Sequence, residues 1–258
     1  MYIQYRHDML GATMNDAVKI KRDVAAQAAL KRINKRVAGI TQRDNTPAGK
    51  AGEIIIELER RLTNGQYLFG DALSINALAD ELDASRQPIS IAINHLRALG
   101  YVSIVPQVGC RVVSPSATEI DDFFYLLAKM ESAMAGLAAA RHNGDEADVL
   151  MALAAEISKT PFDVAEHREH YARAVDAYHD LIREMARSPA LVPRVSDLWR
   201  LADFYMWQGA GNFAPPKVSV ANRERYAIAK AVRAGNVAES EQLMEIHVRG
   251  KPRRVGIV

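Results

Sequence analysis

Residues 85–113, SRQPISIAINHLRALGYVSIVPQVGCRVV, constrain the fold more than any other stretch of the chain. A serine stands where a helix would start, and Ile89, Ala92, Ile93 and Leu96 follow at i, i+3, i+4 and i+7. That spacing buries one stripe of a helix. The opposite stripe is Arg86, Gln87, Ser90 and Asn94, all polar. Past Gly100 the period changes to two, in Val102 and Ile104. Pro106, Gln107, Val108 and Gly109 then form a turn signal before a second extended run, Arg111 to Val113. A helix with a free polar face followed by a short hairpin is the layout of a winged helix-turn-helix. Its polar side chains suit base edges and phosphates, so double-stranded DNA is the expected partner.

The preceding residues supply the rest of such a unit. A helix is expected from Lys50 to Leu62, with Ile54, Ile55, Leu58 and Leu62 inside and Asn64-Gly65 as its stop. A turn with a short extended piece follows at 65–70. Ser74 is the expected cap of a helix facing inward through Leu78, Ala79 and Leu82. Asp83-Ala84 is the tight turn, and Ser85 the expected cap of the reading helix. Pro88 falls in that helix's first turn, where its missing N–H costs little.

Beyond a linker at 114–118 nearly everything reads as helix, over 119–141, 145–158, 162–187, 190–209, 218–234 and 237–249. The breakers between them include Asn143-Gly144, Thr160-Pro161, Ser188-Pro189, Pro215-Pro216 and Gly235-Asn236. The expected fold is mainly α: an N-terminal winged helix-turn-helix plus a C-terminal antiparallel all-α helical bundle. Four segments follow: a basic extension (1–48), a DNA-binding domain (49–113), the linker, and a helical effector-binding and dimerisation domain (119–250).

Charge is uneven. Residues 1–50 carry ten Lys or Arg against four acids, whereas residues 51–113 carry five against seven. The DNA-reading unit is therefore slightly acidic, although duplex binding leans on positive charge; the basic arm is the segment able to supply it. Its bland alternative is a frayed, solvated tail. The only cysteine is Cys110, which excludes an intrachain disulfide and fits a reducing cytoplasm. No uninterrupted apolar run approaches the ~20 residues of a membrane span, and no membrane partner is expected.

Two stretches carry a family resemblance. Leu78-Ala79, Ser85-Arg86-Gln87-Pro88-Ile89, Leu96, Leu99-Gly100 and Gly109-Cys110-Arg111-Val112 resemble the DNA-binding pattern of the GntR family of bacterial transcription regulators. Tyr178-His179, Ser188-Pro189-Ala190-Leu191, Ile228 to Gly235 and then His247 are similar to the helical ligand-sensing (FCD) domain of its FadR-like branch. The resemblance implies a homodimer that binds a pseudo-palindromic operator and releases it when a small organic acid enters the bundle. It also implies, in many members, a divalent metal such as zinc or nickel, held by an Asp, a His four residues later and two further His.

This chain departs from that pattern. His179 and His247 fit two of the His positions, but Val175 stands where the Asp is expected. Asp176 is one step further on, roughly 100° round the helix. Arg225 stands where the remaining His would be, and a guanidinium, always protonated, is no ordinary metal ligand. Three readings stay open. His179, His247 and Asp176 hold a metal in a degraded site; or Arg225 replaces the ion and grips a carboxylate effector bidentately, with His179, His247 and Asp176 around it; or Arg225 makes a surface ion pair and the two His are satisfied core residues. The family also often carries an Arg four residues before the position of Glu131, and here that place is Leu127.

The DNA reader is altered too. The family's second arginine corresponds to Ser90 and the Glu after it to Ile91. The remaining contacts are Arg86, Gln87, Ser90 and Asn94 on the helix and Gln107 and Arg111 in the wing. His167 and His170 share a face without a third ligand, Trp199, Tyr205 and Trp207 crowd one helix, and Arg253-Arg254 reads as a solubilising tail. No phosphate-cradling loop, nucleophile elbow or placed pair of carboxylates marks an enzyme. The expected function is a ligand-responsive transcription regulator, a repressor in its leading form. The rival is a helical dimerisation or partner-binding protein whose winged helix has lost sequence reading.

Overall fold

The computed structural model describes residues 47–105, 109–160, 165–208 and 215–257. The N-terminal arm up to residue 46 and the wing residue Gln107 lie outside the described residues, as does the side chain of His167.

Helix α1 (Lys50–Thr63) buries Ile54, Ile55, Leu58 and Leu62, as its spacing predicts. Its Arg61 is buried as well. The guanidinium donates to Glu57 at 2.7 Å and to Glu81 at 2.6 Å, which ties α1 to α2 (Ile75–Glu81). Ser74 caps α2 by accepting from the Ala77 N–H. The turn into α3 (Arg86–Ala98) uses Asp83 at φ 44°. Ser85 sits at the N-cap of α3, but its side chain makes no capping bond. Ile89, Ala92, Ile93 and Leu96 are sealed inside. Strands β2 (Val102–Val105) and β3 (Gly109–Val112) form the wing hairpin. A short strand absent from the sequence reading, β1 (Ala72–Leu73), pairs antiparallel with β3, so the order is β1-β3-β2.

Among its described residues the second half consists of helices and their connecting turns, with no strand. Helix α4 (Ala117–Arg141) starts two residues before the predicted 119, because Ser116 and Glu119 form a reciprocal capping box. Asn143 and Glu146 do the same for α5 (Gly144–Lys159). Then come α6 (Ala165–Met185), α7 (Val192–Gln208), α8 (Pro215–Arg233) and α9 (Val237–Arg249). A tenth helix that the sequence did not announce, α10 (Lys251–Val255), closes the described chain. By length and composition α4 is apolar enough to cross a membrane. Its inner face, with Ile120, Phe124, Leu127, Met134 and Ala138, is instead buried, and α4 packs against α6, α7, α8 and α9. Gly136 lets α9 approach closely, since a methyl there would collide with the Glu241 side chain.

One apolar core runs from the winged helix into the bundle. Its junction is the C-terminal half of α7. The Phe204 ring lies 5.6 Å from Phe69 and 5.4 Å from Tyr101, and Tyr205 lies 6.0 Å from Phe69. Gln208 accepts from the Phe69 N–H at 2.9 Å and donates to the Tyr67 carbonyl at 3.3 Å. Gly100, at φ 86°, passes so close to Leu201 that an added Cβ would stand 3.3 Å from it.

Candidate functional site

Two groups of polar side chains stand out, one exposed and one buried. The exposed group is the outer face of α3. Arg86, Gln87 and Asn94 are exposed and Ser90 is half-buried. The Asn94 amide donates back to the Ser90 carbonyl at 2.9 Å, leaving its oxygen outward. Ile91 is exposed on the same helix. Arg111 projects from β3 and donates to the Gly70 carbonyl at 2.9 Å. Gln87 and Asn94 present both donors and acceptors, Arg86 and Arg111 only donors. The face can read a nucleic acid, with Arg86 at the helix start where phosphate contacts belong.

The buried group lies among α4, α6, α7, α8, α9 and α10. Glu131 of α4 is fully buried, and its Oε1 accepts from Arg183 Nε at 2.9 Å and Nη2 at 2.5 Å. Arg183 donates a third bond to Asp180 at 2.7 Å. The second Glu131 oxygen faces His179 Nδ1 at 3.9 Å without a hydrogen bond. Burial pushes the Glu131 carboxyl up, against the pull of Arg183.

His179 stacks on Trp199, ring centres 3.8 Å apart, and lies nearly parallel to His247 at 5.7 Å. Among the described residues neither nitrogen of His179 has a hydrogen-bond partner, nor has Nε2 of His247. His247 Nδ1 lies 2.7 Å from Glu224, which also accepts from Arg254 at 2.9 Å. Burial, then nearby positive charge, holds both imidazoles well below their usual value, so both are neutral. With Nδ1 donating to Glu224, His247 turns the Nε2 lone pair inward.

Asp176 accepts from the Trp199 indole at 3.2 Å. Its carboxyl is raised to about 8, by burial first and then by the Asp203 carboxylate. Lys251 sits over the Trp199 ring at 3.5 Å and donates to Asp203 at 3.0 Å. Arg225 is buried; its Nη1 donates to the Tyr171 hydroxyl and to Asn222, both at 2.9 Å, while Nε has no partner.

Two readings from the sequence need correction. Arg225 is buried and makes no ion pair among the described residues, and neither histidine is fully satisfied there: His179 has no hydrogen-bond partner and His247 uses only Nδ1. Arg254 is no solubilising tail: α10 turns it back to bind Glu224 and the His247 carbonyl. The candidate metal set also fails a fit test. Among the described residues no three of His, Cys, Asp and Glu gather as a metal site needs. His247, with Nδ1 on Glu224, could still offer Nε2, but Asp176 is engaged with Trp199 and a cation, Arg225, fills the fourth place.

Comparison with known proteins agrees with this architecture. Residues 50–112 match the model of the bacterial regulatory proteins of the gntR family, and residues 122–250 match the FCD domain. This chain belongs to the GntR family. The HTH-type transcriptional repressor GlaR of Escherichia coli (strain K12) is 28% identical over 197 residues, covering 74% of this chain and 89% of that protein. Among solved structures, McbR/YncC of E. coli superposes with a TM-score of 0.63 at 16% identity, covering 81% of this chain and 98% of that one. A GntR transcriptional regulator from Rhodococcus sp. RHA1 superposes with a TM-score of 0.61 at 20% identity, covering 81% and 99%. The GntR protein described here is a ligand-responsive, DNA-binding transcription regulator with a winged helix-turn-helix and a helical sensing domain.

Sequence reasoning missed Lys251, Asp203, Glu224 and the Glu131–Arg183 pair. Arg183 carried one signal, since it stands four residues after His179 and so shares its face. Lys251 carried none: only the turn into α10 brings it under Trp199.

Proposed function

We propose that this regulator is a repressor that binds operator DNA as a homodimer and releases it when a small carboxylate enters the bundle. Arg86, Gln87, Ser90 and Asn94 read the operator from α3, with Gln107 and Arg111 in the wing. The observation that carries the reading is the double duty of α7. Trp199 and Asp203 line the buried polar cluster, and Leu201, Phe204, Tyr205 and Gln208 of the same helix seat the winged helix. A change at the cluster therefore has a rigid element through which to tilt the reading head. The name of the E. coli relative supports repression as the sign. Tyr125, Leu126 and Ile246 on α4 and α9 are large apolar side chains left exposed, which supports a second copy covering that face. The lone buried thiol of Cys110 fits work in the cytoplasm.

A gel-shift series across promoter fragments at two salt concentrations tests this. One short palindrome is expected to be retained by a dimer, with salt-sensitive affinity, and to be released by a carboxylate. Uniform retention of all fragments would favour the rival reading, a partner-binding protein with a degenerate winged helix.

A further inference from the structure

Among the described residues each cation of the buried cluster has a carboxylate partner, except for Arg225. Arg183 has Glu131 at 2.5 Å and Asp180 at 2.7 Å. Lys251 has Asp203 at 3.0 Å, and Arg254 has Glu224 at 2.9 Å. Arg225 is only 4% exposed, yet no carboxylate lies within ion-pair distance of it among the described residues. A guanidinium keeps its proton, so it cannot escape the cost of burial by neutralising. Its Nη1 is fixed by the neutral oxygens of Tyr171 and Asn222. That fixes the plane of the fork and leaves Nε free. The edge between Nε and Nη2 is one that grips a carboxylate by two parallel bonds.

The surroundings point the same way. Tyr178 donates to the Arg225 backbone carbonyl at 2.7 Å and pins the residue. Both nitrogens of His179 and Nε2 of His247 are buried without partners among the described residues. Trp199 walls the site. Buried polar atoms without partners on several elements, next to a guanidinium with no carboxylate in ion-pair distance among the described residues, describe a receptor for a small polar anion. The missing charge is a single one, which matches one carboxylate better than a phosphate near its dianionic form.

We propose that Arg225 is the effector receptor and binds one carboxylate group directly, with no metal ion between protein and ligand. This rests on the carboxylate reading above and sharpens it: the guanidinium takes over the charge that a metal would carry. The imidazoles then serve as neutral hydrogen-bond partners of the bound molecule. His247 Nε2, with its lone pair inward, accepts from a hydroxyl or ammonium on the ligand.

Thermal-shift measurements on the full-length protein with acetate, lactate, succinate or inorganic phosphate test the proposal, each with and without EDTA and with added zinc. At least one carboxylate is expected to raise the melting temperature of the wild type equally in all three conditions. Arg225→Lys keeps the charge but loses the fork, and should weaken that response about ten-fold or more; Arg225→Gln should abolish it. Without ligand, Arg225→Gln should melt no lower than the wild type, because it removes a buried charge that no carboxylate pairs among the described residues. A shift that EDTA abolishes and zinc restores would overturn the proposal. So would a response to phosphate alone, or to none of the carboxylates. A ligand-free Arg225→Gln protein as unstable as Glu131→Ala would show Arg225 to be purely structural. A wild-type protein that responds to carboxylate but retains no promoter fragment keeps the proposal and defeats the regulator reading.

Discussion

The two polar groups of this regulator are built on opposite terms. On α3, Arg86, Gln87 and Asn94 stand in water, so they cost the fold almost nothing. In the bundle, Glu131, Arg183, His179, His247 and Arg225 are taken out of water, and several of their atoms have no partner. Removing an exposed polar side chain should therefore change binding and leave stability alone. Removing a buried one should change stability first, unless its missing partner is the ligand. The difference gives a way to sort residues by experiment: the same substitution, read by melting and by operator binding, reports which terms hold at that position.

The largest effect expected is at Glu131. Glu131→Ala leaves Arg183 half-paired inside the bundle, which should cost about 3–5 kcal/mol. Chemical denaturation checks it, and a loss below about 1 kcal/mol would mean that the site admits water. Next is the junction between the regions. Gly100→Ala forces an alanine into the left-handed region beside Leu201, at a cost of about 1–2 kcal/mol. Arg86→Ala should leave the melting temperature unchanged while weakening operator binding by about 1–3 kcal/mol, roughly 5-fold to 150-fold. If it lowered stability instead, the exposed face would not be the free surface described here. Gln208→Ala removes two bonds between α7 and the winged helix, worth about 0.5–1.5 kcal/mol each. Its signature should be operator release that no longer tracks effector binding, seen by titrating both in one assay.

The smallest effect is in pH dependence, where the two halves should run in opposite directions. Hydrogen bonds from Arg60 and then Arg61 lower Glu57 of the winged helix from 4.5 to about 2. Its contribution is present above 4.5 and is lost as the pH falls toward 2. Asp176 of the bundle is raised from 3.8 to about 8. The folded state holds its proton where the unfolded state does not, so its contribution is full below 3.8 and fades as the pH rises to 8. Glu57→Gln should flatten the acid limb of the stability curve, and Asp176→Asn the slope between 4 and 8, both followed by denaturation at stepped pH.

How much of this was legible in the chain follows from how local each feature is. Ile89, Ala92, Ile93 and Leu96 announce their burial because a helix repeats every 3.6 residues, and all four are buried. Ser74, Asn143 and Asn236 cap helices with their own side chains, and such bonds span three residues. Ser85 has the right residue type and position but makes no such bond, since a cap also needs the hydroxyl turned inward. Strand β1 is two residues long and exists only because β3 lies beside it, so no periodicity could reveal it. The histidines came from the family resemblance, but their lack of partners among the described residues did not: it depends on what α4, α7 and α8 bring alongside.

From the sequence came the winged helix, the helical bundle and the polar face of α3, because each is written in spacing along single elements, and the unusual arginine at 225, because the family resemblance implies a histidine there. Tertiary structure decided which buried charges find a partner. Glu131 reaches Arg183 across 52 positions, and Glu224 reaches Arg254 across 30. Arg225 reaches no carboxylate at all among the described residues. Charge balance in a low-dielectric interior is a property of distances between elements, and no run of residues encodes it by itself.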